Sequence, residues 1–291
     1  MSEYNSTGMG NTYTKPSPFR KAFLFGLDLF AGSINTLAGP WLPDFQGAEI
    51  TQLEIRLPFL DPVFDGYRLV QISDIHLGTV VKEHHLDEIV EVVNRLEPDT
   101  IAITGDFVSH TPEKFSLPLI SALSQMAAKD FKIAVLGNHD HWTSAKSIRS
   151  VLKSSSFVEL RNTVLPLQRG ESTLYLAGVD DFLVELDKIE PVLEQIPEHS
   201  PAILLAHEPD FADISADSGR FGLQISGHTH GGQICFPLFS HLILPPRGRK
   251  YPSGQYQING MTLYTNRGLG TSWLQFRFRC PPEITVYILK A

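Results

Sequence analysis

The order of apolar and polar positions divides the chain into two textures. Residues 1–19 are rich in Ser, Thr, Asn, Gly and Pro and read as a disordered lead-in. In the run "FRKAFLFGLDLFAGSINTLAGPW" (19–41), Phe23, Leu27, Phe30, Ile34 and Leu37 recur at helical spacing opposite a narrower polar side of Asp28, Gly32, Asn35 and Gly39. From residue 50 the period shortens. "EIRLPF" alternates, and "YRLVQIS" (67–73) is a short apolar run of the kind that fills a buried strand. Leu86, Ile89, Val90 and Val93 predict a helix over 83–96, followed by a strand in "TIAITGD" (100–106). Helices are predicted over 117–128, 143–154 and 186–195. Further strands fall in 172–181, 202–210, 222–230, 261–268 and 283–290, and 132–140 reads as strand then loop. Strands alternating with helices imply an α/β fold with helices on the sheet faces. The expected domains are a lead-in over 1–45 and one domain over 46–291.

The 19–41 run is short, interrupted and carries a central Asp28, so it is a poor membrane span. Two readings stand level: a helix packed on its own domain, and a helix lying in a membrane interface. Export ranks below both. "FRKAFL" resembles the twin-arginine leader, but Lys21 replaces the second arginine. The expected location is therefore cytoplasmic, with peripheral contact at the inner membrane. Net charge is −8, which argues against a partner of duplex nucleic acid, since such proteins present a basic face. Cys235 and Cys280 form no C-x-x-C pair and read as small buried hydrophobes.

Polar clusters close five of the predicted strands: Asp74 and His76, Asp106, Asn138 and His139, His207, then His228 and His230. In α/β sheets ligands gather at the carboxyl ends of strands. A spacing of two lets Asp74 and His76 point to one side of an extended chain. Carboxylate oxygen with imidazole nitrogen, and no thiolate, suits divalent manganese, iron, zinc or cobalt. Seven ligands exceed one tetrahedral centre but fit two ions sharing a carboxylate, the usual device for displacement at phosphorus. Gly105, Gly137 and Gly227 precede these groups, where sharp turns at strand ends are expected.

"SDIHLG", "TGDF", "GNHD", "LLAHEPD" and "SGHTHGGQ" together resemble the ordered motif set of the calcineurin-like metallophosphoesterases over residues 67–233, with a looser match in "NRGLG…CPPEI" (266–284). The nearest likeness is to small bacterial phosphodiesterases, a neighbourhood that includes a UDP-diacylglucosamine pyrophosphatase of lipid A synthesis. The resemblance implies a four-layer α/β/β/α sandwich, two mixed sheets flanked by helices. It implies that Asp74, His76, Asp106 and His230 hold one ion, and that Asp106, Asn138, His207 and His228 hold a second. Manganese is expected first, then iron, zinc or cobalt. His139 would face the leaving-group oxygen as general acid or charge stabiliser, with Asp140 orienting it. The implied reaction is hydrolysis of a phosphodiester or diphosphate by metal-activated hydroxide.

Two apolar stretches, "FPLFSHLILPP" (236–246) and "SWLQFRF" (272–278), read either as packed loops or as a greasy rim for an acyl chain. The apolar 23–38 run and the apolar 236–244 loop, together with the family neighbourhood that the resemblance implies, place a lipid-linked nucleotide first among substrates and a small soluble nucleotide second. Arg247, Arg267 and Arg277 are candidates to clamp a second phosphate. His84 and His85 read as solvated, and His110, His141 and Asp181 as neighbours of the site. The rival of another class is a non-catalytic, metal-dependent binding or scaffold protein. The intact motifs and His139 argue against it.

Overall fold

The computed structural model describes residues 48–235, 244–272, 275 and 277–291. The expected lead-in, the 19–41 run, residues 236–243 with His241, and three positions of the 272–278 stretch lie outside the described residues.

Strands β1 (Glu49–Arg56), β2 (Arg68–Ile72), β3 (Thr100–Thr104), β4 (Phe131–Val135), β5 (Val158–Glu159) and β12 (Glu283–Lys290) form one sheet in the order β1-β12-β2-β3-β4-β5. Its β2 to β5 run is parallel, and β12 enters antiparallel to β2. The second sheet has the order β10-β11-β9-β8-β7-β6, from β6 (Thr163–Arg169), β7 (Ser172–Gly178), β8 (Ala202–Leu205), β9 (Leu223–Ser226), β10 (Gly254–Ile258) and β11 (Met261–Thr265). Its centre is parallel and both edges are antiparallel, so each sheet is mixed.

Alternation along the strands sorts side chains into three apolar layers. Val70, Ile72, Ile101, Ile103 and Ala134 pack outward against Leu86, Ile89, Val90 and Val93 of helix α1 (Glu83–Arg95). Helices α2 (Pro112–Gln125) and α4 (Ala145–Ser154) complete that face through Leu119, Leu123, Ile148 and Val151. Leu69, Ala102 and Ile133 turn the other way and meet Leu174, Leu176, Ile203, Leu205, Leu223 and Ile225 of the second sheet. Ala202, Leu204 and Leu263 then face the third layer, with Val192 of α5 (Glu190–Leu193) and Ala212 and Ala216 of α6 (Ala212–Asp217). Leu205 and Ile225 are fully buried, and each such side chain contributes roughly 1.5–3 kcal/mol. A one-residue slip of any central strand would exchange two layers, which fixes the register. The fold is the expected sandwich of two mixed sheets between helices.

Some elements differ from expectation. Helix α2 starts at Pro112 rather than 117, because proline suits the first helical position. The helix expected over 186–195 shrinks to the single turn of α5. The loop expected to close the 132–140 segment instead opens helix α3 (Asn138–Thr143). His85, read as solvated, is buried, and its Nδ1 accepts from Lys82 N at 3.1 Å at the start of α1. Among the described residues, no helix is long and apolar enough to cross a membrane.

Candidate metal centre

The seven expected ligands come from the ends of β2, β3, β4, β8 and β9, and all are buried. The loops after β2 and β3 stay paired: Asp74 N donates to Gly105 O and His76 N to Asp106 O, each at 3.0 Å. An extended chain does not aim the pairs, as the spacing had suggested. Asp74 (φ 50°), His76 (45°), Asp106 (58°), His228 (71°) and His230 (53°) all take left-handed backbone. For residues with a Cβ this costs on the order of 1–3 kcal/mol each and persists only where surroundings enforce it. Gly137 and Gly227 are needed for room rather than for a turn. A Cβ on Gly227 would collide with Ser73 Oγ and Asp74 Oδ2, and one on Gly137 with Asp106 Oδ1 and the His207 ring.

The donor atoms form overlapping clusters. Asp74, His76 and His230 offer atoms within 4.8 Å of one another, as do Asp106, His207 and His228, and His76, Asp106 and His139. Asp106 joins them: its Oδ2 lies 3.3 Å from both His76 Nε2 and His207 Nε2. Its Oδ1 accepts from His139 N at 2.9 Å, at the start of α3. Asn138 heads the same helix, and its buried Oδ1 has no hydrogen-bond partner.

The outer ring nitrogens define the inner ones. His207 Nδ1 donates to Thr104 O at 2.6 Å, and His228 Nε2 donates to Pro246 O at 2.9 Å. A carbonyl only accepts, so both inner nitrogens carry lone pairs in the neutral rings. Yet His207 Nε2 and His228 Nδ1 sit 3.2 Å apart, with Asp106 Oδ2 beside them. Lone pairs at that distance repel unless a positive charge lies among them. The residues present therefore fit a bound cation, and the orphaned Asn138 Oδ1 fits it as well. His76 Nε2 and His230 Nε2 meet at 3.1 Å, with outer nitrogens against Ser109 Oγ (2.8 Å), which can donate or accept, and Gly270 O (3.3 Å).

Titration follows the same geometry. Burial opposes ionisation of Asp106, but His207 and His139 hold its carboxyl well below the usual range. Burial also opposes a charge on His207, but Asp106 and Asp74 raise it well above the ordinary value. His228 is pushed down to about 4 by burial and then by His207. His139 is pushed down to about 4 by burial, against the pull of Asp106.

Asp140 is used differently from expectation. Its Oδ2 accepts from Asp106 N (2.9 Å) and Gly137 N (3.0 Å), and its Oδ1 from Phe107 N (2.9 Å). It locks the loop that carries Asp106 instead of orienting the His139 ring. Burial, then the charge of Asp106, pushes Asp140 up to about 7. His141 Nε2 pairs with Asp180 at 2.7 Å, and His110 is exposed.

Two of the three candidate arginines are committed elsewhere. Arg277 is half-buried against its own loop, donating to the carbonyls of Arg267 (2.7 Å), Gly268 (3.0 Å) and Gly270 (2.6 Å). Arg267 pairs with Glu283 (3.0 Å) and Glu49 (2.7 Å). Arg247 follows Pro246, the acceptor for His228, and its guanidinium lies 4.1 Å from the Phe182 ring centroid. Sequence reasoning missed Ser109, the carbonyl partners of the imidazoles, and Glu208. Glu208 accepts from Phe182 N (3.0 Å) and Leu183 N (3.1 Å) and clusters with His207 and Asp181. Burial, then Glu208, pushes Asp181 up to about 9. Backbone acceptors leave no sequence signal, whereas Glu208 stands in the open within "LLAHEPD". Cys280 is buried and Cys235 half-buried, both as free thiols.

Comparison with known proteins gives the same picture. The model of the calcineurin-like phosphoesterase domain matches residues 67–232, more than half of the chain. The Bacillus subtilis (strain 168) protein described as uncharacterized metallophosphoesterase YkuE is 35% identical over 247 residues, covering 84% of this chain and 86% of that one. A Danio rerio transmembrane protein with metallophosphoesterase domain is 31% identical over 258 residues, 84% of this chain and 58% of its own length. Phosphodiesterase YaeI of Escherichia coli (strain K12) is 26% identical over 234 residues, 79% and 85% of the two chains. The chain belongs to the calcineurin-like phosphoesterase family, metal-dependent hydrolases of phosphoester bonds.

Proposed function

We propose that this protein hydrolyses phosphodiester or diphosphate bonds at a centre for two divalent ions. Asp74, His76, Asp106 and His230 would hold one ion, and Asp106, Asn138, His207 and His228 the other. The observation that carries this reading is the facing pair His207 Nε2 and His228 Nδ1, 3.2 Å apart with both outer nitrogens donating to carbonyls. When bound, such ions draw charge from phosphoryl oxygens and bring water towards ionisation near neutral pH. A donor set of oxygen and imidazole nitrogen suits manganese first, then iron, zinc or cobalt.

His139 is the residue we assign to the leaving group. A pKa of about 4 leaves its ring neutral at physiological pH, so it acts there as an N–H donor to developing charge rather than as an imidazolium acid. His139→Ala should lower kcat about a hundredfold while both ions stay bound, read by turnover and metal analysis. Loss of an ion would move His139 into the ligand set, which its grouping with His76 and Asp106 also permits. Arg247 is the arginine we assign to a substrate phosphate, because Arg267 and Arg277 are spent on Glu283, Glu49 and backbone carbonyls. Arg247→Ala should raise KM about tenfold with little change in kcat, as for loss of one charge-assisted contact. An unchanged KM would remove Arg247 from the site.

A diester is favoured over a monoester by the name of the Escherichia coli relative, phosphodiesterase. Among diesters and diphosphates we place a lipid-linked nucleotide such as UDP-diacylglucosamine first and small soluble nucleotides second. Support for the first is the apolar sequence of 19–41 and 236–246, and this reading would place the protein at the cytoplasmic face of a membrane. Residues 46–291 would form the catalytic domain. The test is a metal-reconstituted screen of bis-p-nitrophenyl phosphate, UDP-diacylglucosamine, cyclic nucleotides and nucleoside diphosphate esters, with products read by mass spectrometry. Liposome sedimentation with and without residues 1–45 separates the two substrate readings, and no binding by either form counts against the lipid.

A further inference from the structure

We propose that Trp142 is a stacking face for a flat leaving group, so that this site prefers esters and diphosphates whose departing group carries an aryl ring or a nucleobase. The proposal deepens the phosphoesterase reading and rests on it. Trp142 lies on α3, three residues after His139 and so on the same side of the helix. Their ring centroids are 5.0 Å apart, with planes at 58°. His139 in turn meets the ring of His76 edge-on at 4.7 Å. A line of rings thus leads from the buried donor cluster, past the group assigned to the leaving oxygen, to the surface.

The end of that line is open. Trp142 is 60% exposed, while His76 is fully buried. A tryptophan serving only to brace His139 would gain by burial, since its large apolar face is the main favourable term it offers. This one keeps most of that face in water while its helix is held firmly. The neighbouring His141 is tied to Asp180 at 2.7 Å, and Thr143 Oγ1 donates to His139 O at 2.8 Å. A rigid, exposed indole beside the assigned leaving-group donor suits a planar partner, because stacking needs a face and no particular hydrogen-bond pattern. An alkyl leaving group would gain much less from it.

The test compares metal-loaded wild type, Trp142→Ala and Trp142→Phe on bis-p-nitrophenyl phosphate and on glycerophosphoethanolamine, a diester without an aryl group. Trp142→Ala should lower kcat/KM for the aryl diester about tenfold, mainly through KM. It should leave the alkyl diester within about twofold, and Trp142→Phe should recover most of the loss. An equal loss on both substrates would reduce Trp142 to a brace for His139 and overturn the proposal. UMP binding, measured by calorimetry on the same proteins, reads the proposal without turnover. If the wild type cleaves neither diester, the phosphoesterase reading fails on its own. UMP affinity about tenfold weaker in Trp142→Ala would then still support the stacking face, and unchanged affinity would overturn it.

Discussion

Asp106→Asn should reduce phosphodiester turnover at least about a thousandfold, a loss of about 4 kcal/mol of transition-state stabilisation, and should empty both ion positions. The expectation follows from position. Asp106 Oδ2 is 3.3 Å from an imidazole nitrogen of each cluster, His76 on one side and His207 on the other. In the proposed assignment every other expected ligand serves a single ion. The asparagine has nearly the same volume and keeps an oxygen able to accept from His139 N, so the fold should survive. What it removes is the negative charge at the point shared by the ions. Asp74→Asn is the informative companion, because Asp74 groups with His76 and His230 alone. That variant should retain one ion per chain where Asp106→Asn retains none. Turnover of bis-p-nitrophenyl phosphate and metal content by mass spectrometry read both. Equal metal content in the two variants would deny Asp106 its bridging place.

The donor set behind that expectation was legible because all seven residues stand beside apolar strands in five short motifs. Strand ends are set by local pattern, and a parallel sheet brings its carboxyl ends together. The backbone of the donors was not legible. Spacing two apart suggested alternation along an extended chain, whereas Asp74 and His76 both adopt positive φ. Asp and His tolerate that conformation better than most residues with a Cβ, but their presence does not demand it, and the pairing of the β2 and β3 loops imposes it. The outer strands escaped for a related reason. β6 contains Pro166, which reads as a breaker but is tolerated on an edge. β10 alternates Gln255, Tyr256 and Gln257 weakly, as an edge facing solvent can. The arginines show the opposite limit. Arg267 and Arg277 look alike in sequence to Arg247, and only the fold reveals that their donors are consumed by Glu283 and by the carbonyls of 267–270.

Removing metal should abolish activity and also lower the melting temperature by about 10 °C, even though the hydrophobic layers are untouched. Two features of the site require the second effect. The facing nitrogens of His207 and His228 lie 3.2 Å apart and, with both outer nitrogens donating to carbonyls, are compatible only when positive charge separates them. Five donors also hold left-handed backbone, each at a cost that surrounding contacts must offset. Two ions, each at about thirtyfold excess over its Kd, together add about 4 kcal/mol to the stability of the native state. A domain of this size shifts about 2–4 °C per kcal/mol, which gives the stated figure. The drop should be smaller in Asp74→Asn, which begins with one ion, and nearly absent in Asp106→Asn. Calorimetry before and after chelation, with metal content measured on the same samples, reads all three. Restoration by manganese, ahead of magnesium, should return both the melting temperature and turnover, because imidazole nitrogen suits the softer ion. A metal-stripped wild type that melts unchanged would mean that protons, not metal ions, separate those nitrogens. The argument from the facing imidazoles would then fail.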